Sequence, residues 1–224
     1  MIPGFIVVLL VAALDWLAVA GNWKKVEYIA KPGTMLVLLG VMGLVSGFGS
    51  APLVFFGLGI LFSLAGDVFL MLSDQWFIPG LVSFLLAHLA YIAGLNLPLS
   101  HIAATWPLGL VALLILVATV WILHRIVAAL KRKGQIALVG PVIVYGVVIS
   151  VMLFSANLTL FRPEWNSLPA ALVSFGALLF YLSDVVLAWN KFVSPIRSGR
   201  LTNMILYHLG QLALIVGAIL QFTA

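Results

Sequence analysis

Eight stretches of the chain, most of them close to twenty residues long and apolar on every side, follow one another with only short polar breaks between them. That pattern leaves few folds. A helix crosses the ~30 Å hydrocarbon core of a bilayer with about 20 apolar residues, whereas barrel strands are about half as long and alternate polar with apolar side chains. Inside hydrocarbon every backbone N–H and C=O needs a partner within the protein, so continuous helices are expected. Composition agrees: of 224 residues, 64% are hydrophobic and 8% charged, against roughly 25% charged in a soluble domain. So little polar surface cannot coat a globule in water. The expectation is an all-α polytopic transmembrane helix bundle of about eight spans, forming one transmembrane domain over residues 1–224.

The runs fall at Pro3–Ala20, Gly33–Phe48, Pro52–Leu72, Ile78–Leu97, Trp106–Leu123, Ile136–Asn157, Leu168–Trp189 and Leu201–Phe222. Ala18-Val19-Ala20 imitates a signal cleavage site, but Asp15 interrupts the apolar run before it and no basic segment precedes it, so a retained first span is expected. Gly43 and Gly47 share one face of the short second span, which suits close helix contact or arises by chance. The chain has no cysteine, which excludes disulfides, thiolate metal sites and a cysteine nucleophile.

The formal charge of +5 would suit nucleic acid, but the basic residues lie in short connections between apolar runs, where they orient a membrane protein. Connections after spans one, three, five and seven hold Lys24, Lys25, Lys31, Arg125, Lys131, Arg132, Lys133, Lys191, Arg197 and Arg200; the other side holds Arg162. By the positive-inside rule both termini face away from the cytoplasm. Trp16, Trp23, Trp76, Trp106, Trp165 and Trp189 fall near span ends, as an interfacial aromatic belt would.

Two segments resemble each other: Phe62-Ser-Leu-Ala-Gly-Asp67 late in span three and Phe180-Tyr-Leu-Ser-Asp184 late in span seven. Each precedes a span with a histidine, His88 or His208, and Pro32 and Pro141 sit near the starts of spans two and six. Four spans separate the matching features, so a 4+4 parallel internal repeat, with halves 1–100 and 101–224, stands against a chance likeness.

Ionisable groups inside a span are costly and point to function. Asp67 and Asp184 lie roughly 8 Å from the cytoplasmic face and His88 and His208 roughly 10–15 Å, at 1.5 Å per residue. Helical spacing sets Ser63 with Asp67, Tyr181 with Asp184, His88 with Tyr91, and Tyr207 with Gln211, while Tyr145 is a further polar neighbour. A polar cavity open to the cytoplasmic head groups accounts for all of them. Asp15, one turn from the interface, is expected to snorkel or to pair with Lys24 or Lys31. His101 and His124 are expected in loops. No helix carries H-x-x-x-H or E-x-x-H, so no metal site is assigned, and no G-x-S-x-G elbow or P-loop occurs.

At these residues the chain resembles the lysoplasmalogenase-like (YhhN-type) family of polytopic membrane proteins. The matching pieces are Lys31-Pro32, Phe62 through Met71, Gly80 through Tyr91, Tyr145, Gly176 through Asp184, and Tyr207 through Gln211, spanning about residues 30–215. The resemblance implies hydrolysis of the vinyl ether bond of a lysophospholipid, the lysoplasmalogen, giving a fatty aldehyde and a glycerophospho-ethanolamine or -choline. No cofactor and no nucleic-acid partner are expected; membrane lipids are. Such cleavage needs a proton donor to carbon and a carboxylate, and two carboxyl groups held close together readily share one proton. Asp67 and Asp184 are the expected pair, with His88, Tyr91, Tyr207 and Gln211 orienting water or the leaving oxygen. Lys31 is placed to meet the phosphate, and Ser63, Tyr145, Ser183 and His208 support the site. A proton-coupled transporter and a metal-dependent lipid hydrolase are the rival readings.

Overall fold

A computed structural model of the protein describes residues 2–98 and 105–223. Among them eight helices are long and apolar enough to cross a membrane, and no strand occurs. They are α1 (Ile2–Ala20), α2 (Lys24–Ser46), α3 (Ala51–Met71), α4 (Phe77–Asn96), α5 (Trp106–Arg132), α6 (Val139–Leu158), α7 (Ser167–Ala188) and α8 (Gly199–Phe222). A π-helical turn, Trp189–Val193, prolongs α7.

Two boundaries differ from expectation. The second span starts at Lys24, not Gly33, because the charged stretch from Lys24 to Lys31 contains no breaker, and Pro32 is carried inside the helix. The fifth runs to Arg132, not Leu123, so His124 is helical; its last turn carries Lys131 and Arg132, where positive charge suits the carbonyl end of a helix. His101 lies outside the described residues. Gly47 turns out to be the left-handed C-cap of α2 (φ 56°), its N–H bonded to Gly43 O, and not part of a packing face.

Lipid supplies no hydrophobic drive between helices, so close packing and hydrogen bonds hold the bundle together. The tightest pairs are α7 with α8 and α3 with α4. Gly176 and Gly210 let the α7 and α8 backbones touch: a Cβ on Gly176 would stand 2.6 Å from the Leu214 amide, and one on Gly210 2.9 Å from Gly176 O. In the α3–α4 pair the Phe84 ring covers Gly66. Contacts of α4 with α6 and of α8 with α1, α2 and α3 join the two hairpins. Helix α5 is peripheral: Leu113, Leu116, Val117 and Val120 are all more than half exposed, a lipid-facing surface. At the bundle end away from the basic residues, buried Arg162 reaches α4, donating to Leu95 O (2.9 Å) and Asn96 Oδ1 (2.8 Å) and capping its carbonyl end.

Candidate active site

Asp67 and Asp184 each sit among three helices. Asp67 of α3 is fully buried; Lys31 of α2 approaches Oδ1 at 3.2 Å, and the Tyr207 hydroxyl of α8 donates to Oδ2 at 2.7 Å. Asp184 of α7 accepts a hydrogen bond from the Tyr145 hydroxyl of α6, and His88 Nε2 of α4 lies 3.4 Å from the same oxygen. His88 Nε2 is also 2.9 Å from the Tyr145 oxygen. Because Tyr145 spends its one O–H on Asp184, its oxygen accepts from His88 Nε2–H, so the donors of this chain all run toward the carboxyl group. Under a shift of four helices, α2 and α3 correspond to α6 and α7, and α8 to α4. Each aspartate thus has a partner from its own half and one from the other.

A third chain of hydrogen bonds links α4, α8 and α3 beside the clusters. Tyr91 of α4 donates to Gln211 Oε1 of α8 at 2.6 Å, and Gln211 Nε2 donates to Ser63 Oγ of α3 at 2.8 Å, all three fully buried. The Phe180 ring stands between the clusters, with His88 at 4.9 Å, Tyr207 at 5.3 Å and Phe84 at 6.2 Å between ring centroids. Of the expected site residues, Lys31, Ser63, Asp67, His88, Tyr91, Tyr145, Asp184, Tyr207 and Gln211 therefore meet in one region. Two do not join it. Ser183 Oγ bonds back to Phe180 O, and its carbonyl accepts from Asn203 Nδ2, so it ties α7 to α8. His208 faces α1, where its Nδ1 accepts from Trp16 Nε1 at 3.1 Å. Tyr181, spaced to reach Asp184 on the same helix, instead lies 3.2 Å from Thr119 Oγ1, which in turn bonds to Ser150.

Asp15 departs from its expected place. It is fully buried, on the inner stripe of α1 with Val8, Ala12 and Val19, and among the described residues neither carboxylate oxygen has a hydrogen-bond partner. The snorkelling or paired aspartate of the sequence reading is not observed, since no ion pair joins it to Lys24 or Lys31.

Two cavities adjoin the site. The first, about 520 Å³, is polar and opens at the basic end of the bundle; Lys24, Glu27, Lys31, Asp74, Lys191 and Arg200 contribute its charges. Lys31 sits at its inner end, only 6% exposed. Two ion pairs span it: Arg200 Nη2 bonds both oxygens of Glu27 (2.7 and 2.8 Å), and Lys191 Nζ meets Asp74 Oδ1 at 3.0 Å. The second is a narrow apolar crevice of about 70 Å³ among α4, α5, α6 and α7, with Asp184, Tyr145, Tyr181 and Thr119 as its polar members. Leu70, Phe77 and Leu187 line both cavities and form the wall between them. Among the described residues no three His, Asp or Glu side chains gather as metal ligands. The arrangement suits a molecule with an anionic polar end and one apolar chain, whose junction would lie at the wall beside Asp184.

Sequence reasoning missed Trp16, Asn203 and Thr119. A lone tryptophan near a span end reads as interfacial, and nothing local predicts that it bonds a histidine 192 residues away.

The model of the YhhN family matches residues 26–218. The chain is 29% identical over 181 residues to lysoplasmalogenase TMEM86A of Homo sapiens, covering 80% of this chain and 70% of the relative. It is 30% identical over 145 residues to lysoplasmalogenase TMEM86B of Homo sapiens (64% of this chain, 54% of the relative). Against lysoplasmalogenase TMEM86B of Mus musculus identity is 31% over 159 residues, with coverages of 70% and 60%. The matched region thus spans between about half and 70% of these relatives' length. No solved structure matches the chain significantly.

Proposed function

The chain belongs to the YhhN family, and on that footing we propose that it is an intramembrane ether hydrolase that cleaves the vinyl ether bond of lysoplasmalogens. The observation that carries this reading is the placement of Asp184. Its carboxyl group lines the apolar crevice, backed by Tyr145 and His88, next to the wall that the crevice shares with a cationic cavity. The names of the relatives, each a lysoplasmalogenase, supply the substrate class.

The different surroundings of the two aspartates support unlike roles for them. Asp67 faces an ammonium group and is the anion of the pair; it holds Lys31 at the inner end of the polar cavity, where the phosphate is received. Among the described residues no lysine or arginine forms an ion pair with Asp184, which acts as the proton carrier. Its O–H gives the proton to the vinyl carbon farther from oxygen, using the C=C electron pair and leaving an oxocarbenium ion on the ether oxygen and its carbon. The Asp184 carboxylate, still held by Tyr145, stabilises that cation. Water adds to the cationic carbon and returns its proton to Asp184, giving a hemiacetal. The hemiacetal hydroxyl then loses a proton, the glycerol oxygen gains one, and the carbon–oxygen bond breaks. One water is consumed, and aldehyde and glycerophospho-alcohol are formed.

The concentration of basic residues at the polar cavity's end supports a cytoplasmic mouth and termini on the opposite side. The correspondence of the Asp67 and Asp184 surroundings supports a parallel four-plus-four repeat. The test is direct: purified protein in detergent, given lysoplasmalogen, releases aldehyde. Removing a positioned acid typically costs 10²–10⁴-fold, so Asp184→Asn is expected to lose at least about a hundredfold in kcat with its thermal unfolding unchanged. Asp67→Asn frees Lys31 and is also expected to abolish measurable turnover. Near-normal aldehyde release by either variant would overturn the pair, and none from the wild type would overturn the hydrolase reading.

A further inference from the structure

We infer that the Asp74–Lys191 ion pair at the mouth of the polar cavity reads the lipid head group, selecting one that carries a cation beyond its phosphate by exchanging partners with it. The inference rests on the substrate class proposed above.

The two ion pairs of the cavity are built differently. Glu27 is only 13% exposed and grips Arg200 through both oxygens, a fixed brace between α2 and α8. Asp74 is 96% and Lys191 36% exposed, and they share a single contact of 3.0 Å. An exposed pair with one contact adds little to stability, so it opens readily. Asp74 lies in the short turn before α4, and Lys191 lies in the π-helical turn after α7, a geometry that recurs at functional sites. Within that turn Asn190 and Lys191 line the polar cavity while Phe192 lines the apolar crevice. Lys191 Nζ stands 4.7 Å from the centre of the Phe77 ring, part of the wall between the two. A lipid whose chain entered the crevice would therefore carry its phosphate past Lys191.

Charge is conserved in the exchange. Lys191 leaves Asp74 for the phosphate, and Asp74 takes the head group's ammonium in its place, so two opposite pairs replace two opposite pairs. A head group without a cation leaves Asp74 ionised beside the phosphate, and like charges at that range repel.

The probes are saturated 1-O-alkyl lysophospholipids of one chain length, with ethanolamine or glycerol as head group. They lack the vinyl ether, so binding is read apart from turnover. Displacement of a fluorescent lysolipid from the full-length protein in nonionic detergent at low salt measures both affinities. The wild type is expected to bind the ethanolamine lipid roughly two- to fivefold more tightly, the scale of an exposed charge contact. Asp74→Asn, a change at an exposed turn position, is expected to bring the ratio to about one. Lys191→Gln is expected to weaken both lipids. A wild-type ratio of one, or a ratio unchanged in Asp74→Asn, overturns the inference whether or not aldehyde is formed. Selective binding without aldehyde release leaves this inference standing and removes the hydrolase reading instead.

Discussion

Asp15 is buried on α1, and among the described residues neither of its carboxylate oxygens has a hydrogen-bond partner. A buried polar group without a partner costs about 1–3 kcal/mol, and both of its oxygens are in that state. Asp15→Leu is therefore expected to stabilise the fold by roughly that amount, read as a higher midpoint of thermal unfolding in detergent; a lower midpoint would mean that the carboxyl group holds the helices together. Residue by residue, the sequence was informative about depth and poor about direction. Counting along helices places Asp67, Asp184, His88 and His208 at similar depths. Counting does not say that Tyr207 turns toward Asp67 while its neighbour His208 turns to Trp16, because that depends on how α8 is rotated against α1 and α3. Nor does counting say which aspartate is the acid; the packing sets Lys31 against Asp67, and Tyr145 and His88 against Asp184.

At the scale of elements, the α7–α8 contact carries the sharpest expectation. A methyl group on Gly176 meets backbone first, the Leu214 amide at 2.6 Å and the Gly210 carbonyl at 2.8 Å, ahead of the Leu214 side chain at 3.0 Å, so the helices must part. Gly176→Ala is expected to cost about 1–3 kcal/mol or more. Gly40→Ala in α2, where nothing lies within 4 Å of the added carbon, is expected to gain up to about 1 kcal/mol from helix propensity. Thermal unfolding of the two variants side by side checks the contrast. Helix existence was legible from the apolar runs; helix length was not. Hydropathy ends a span where charge begins, whereas the α-helix of Lys24–Lys31 goes on beyond the apolar run because backbone bonding ignores side-chain polarity until a breaker intervenes. The same logic hid the last two turns of α5.

For the whole molecule the testable quantity is orientation. The chain contains no cysteine, so single introduced thiols report cleanly. Lys133→Cys, at the basic end, is expected to react with a membrane-impermeant maleimide in inside-out vesicles and to be protected in intact cells. Gly49→Cys, at the other end, is expected to show the opposite pattern, and a swap of the two would reverse the proposed topology.

The wall of Leu70, Phe77 and Leu187 has a further effect if the scissile bond stands beside it. Cleavage there divides one amphiphile into two molecules that no longer belong in the same medium. The glycerophospho-alcohol has no reason to stay near lipid and drains through the wide mouth into water, while the aldehyde remains dissolved in the bilayer. Neither has to pass the other on its way out, and recombination is disfavoured as soon as they separate. A partition of three side chains would then give the reaction its direction in space.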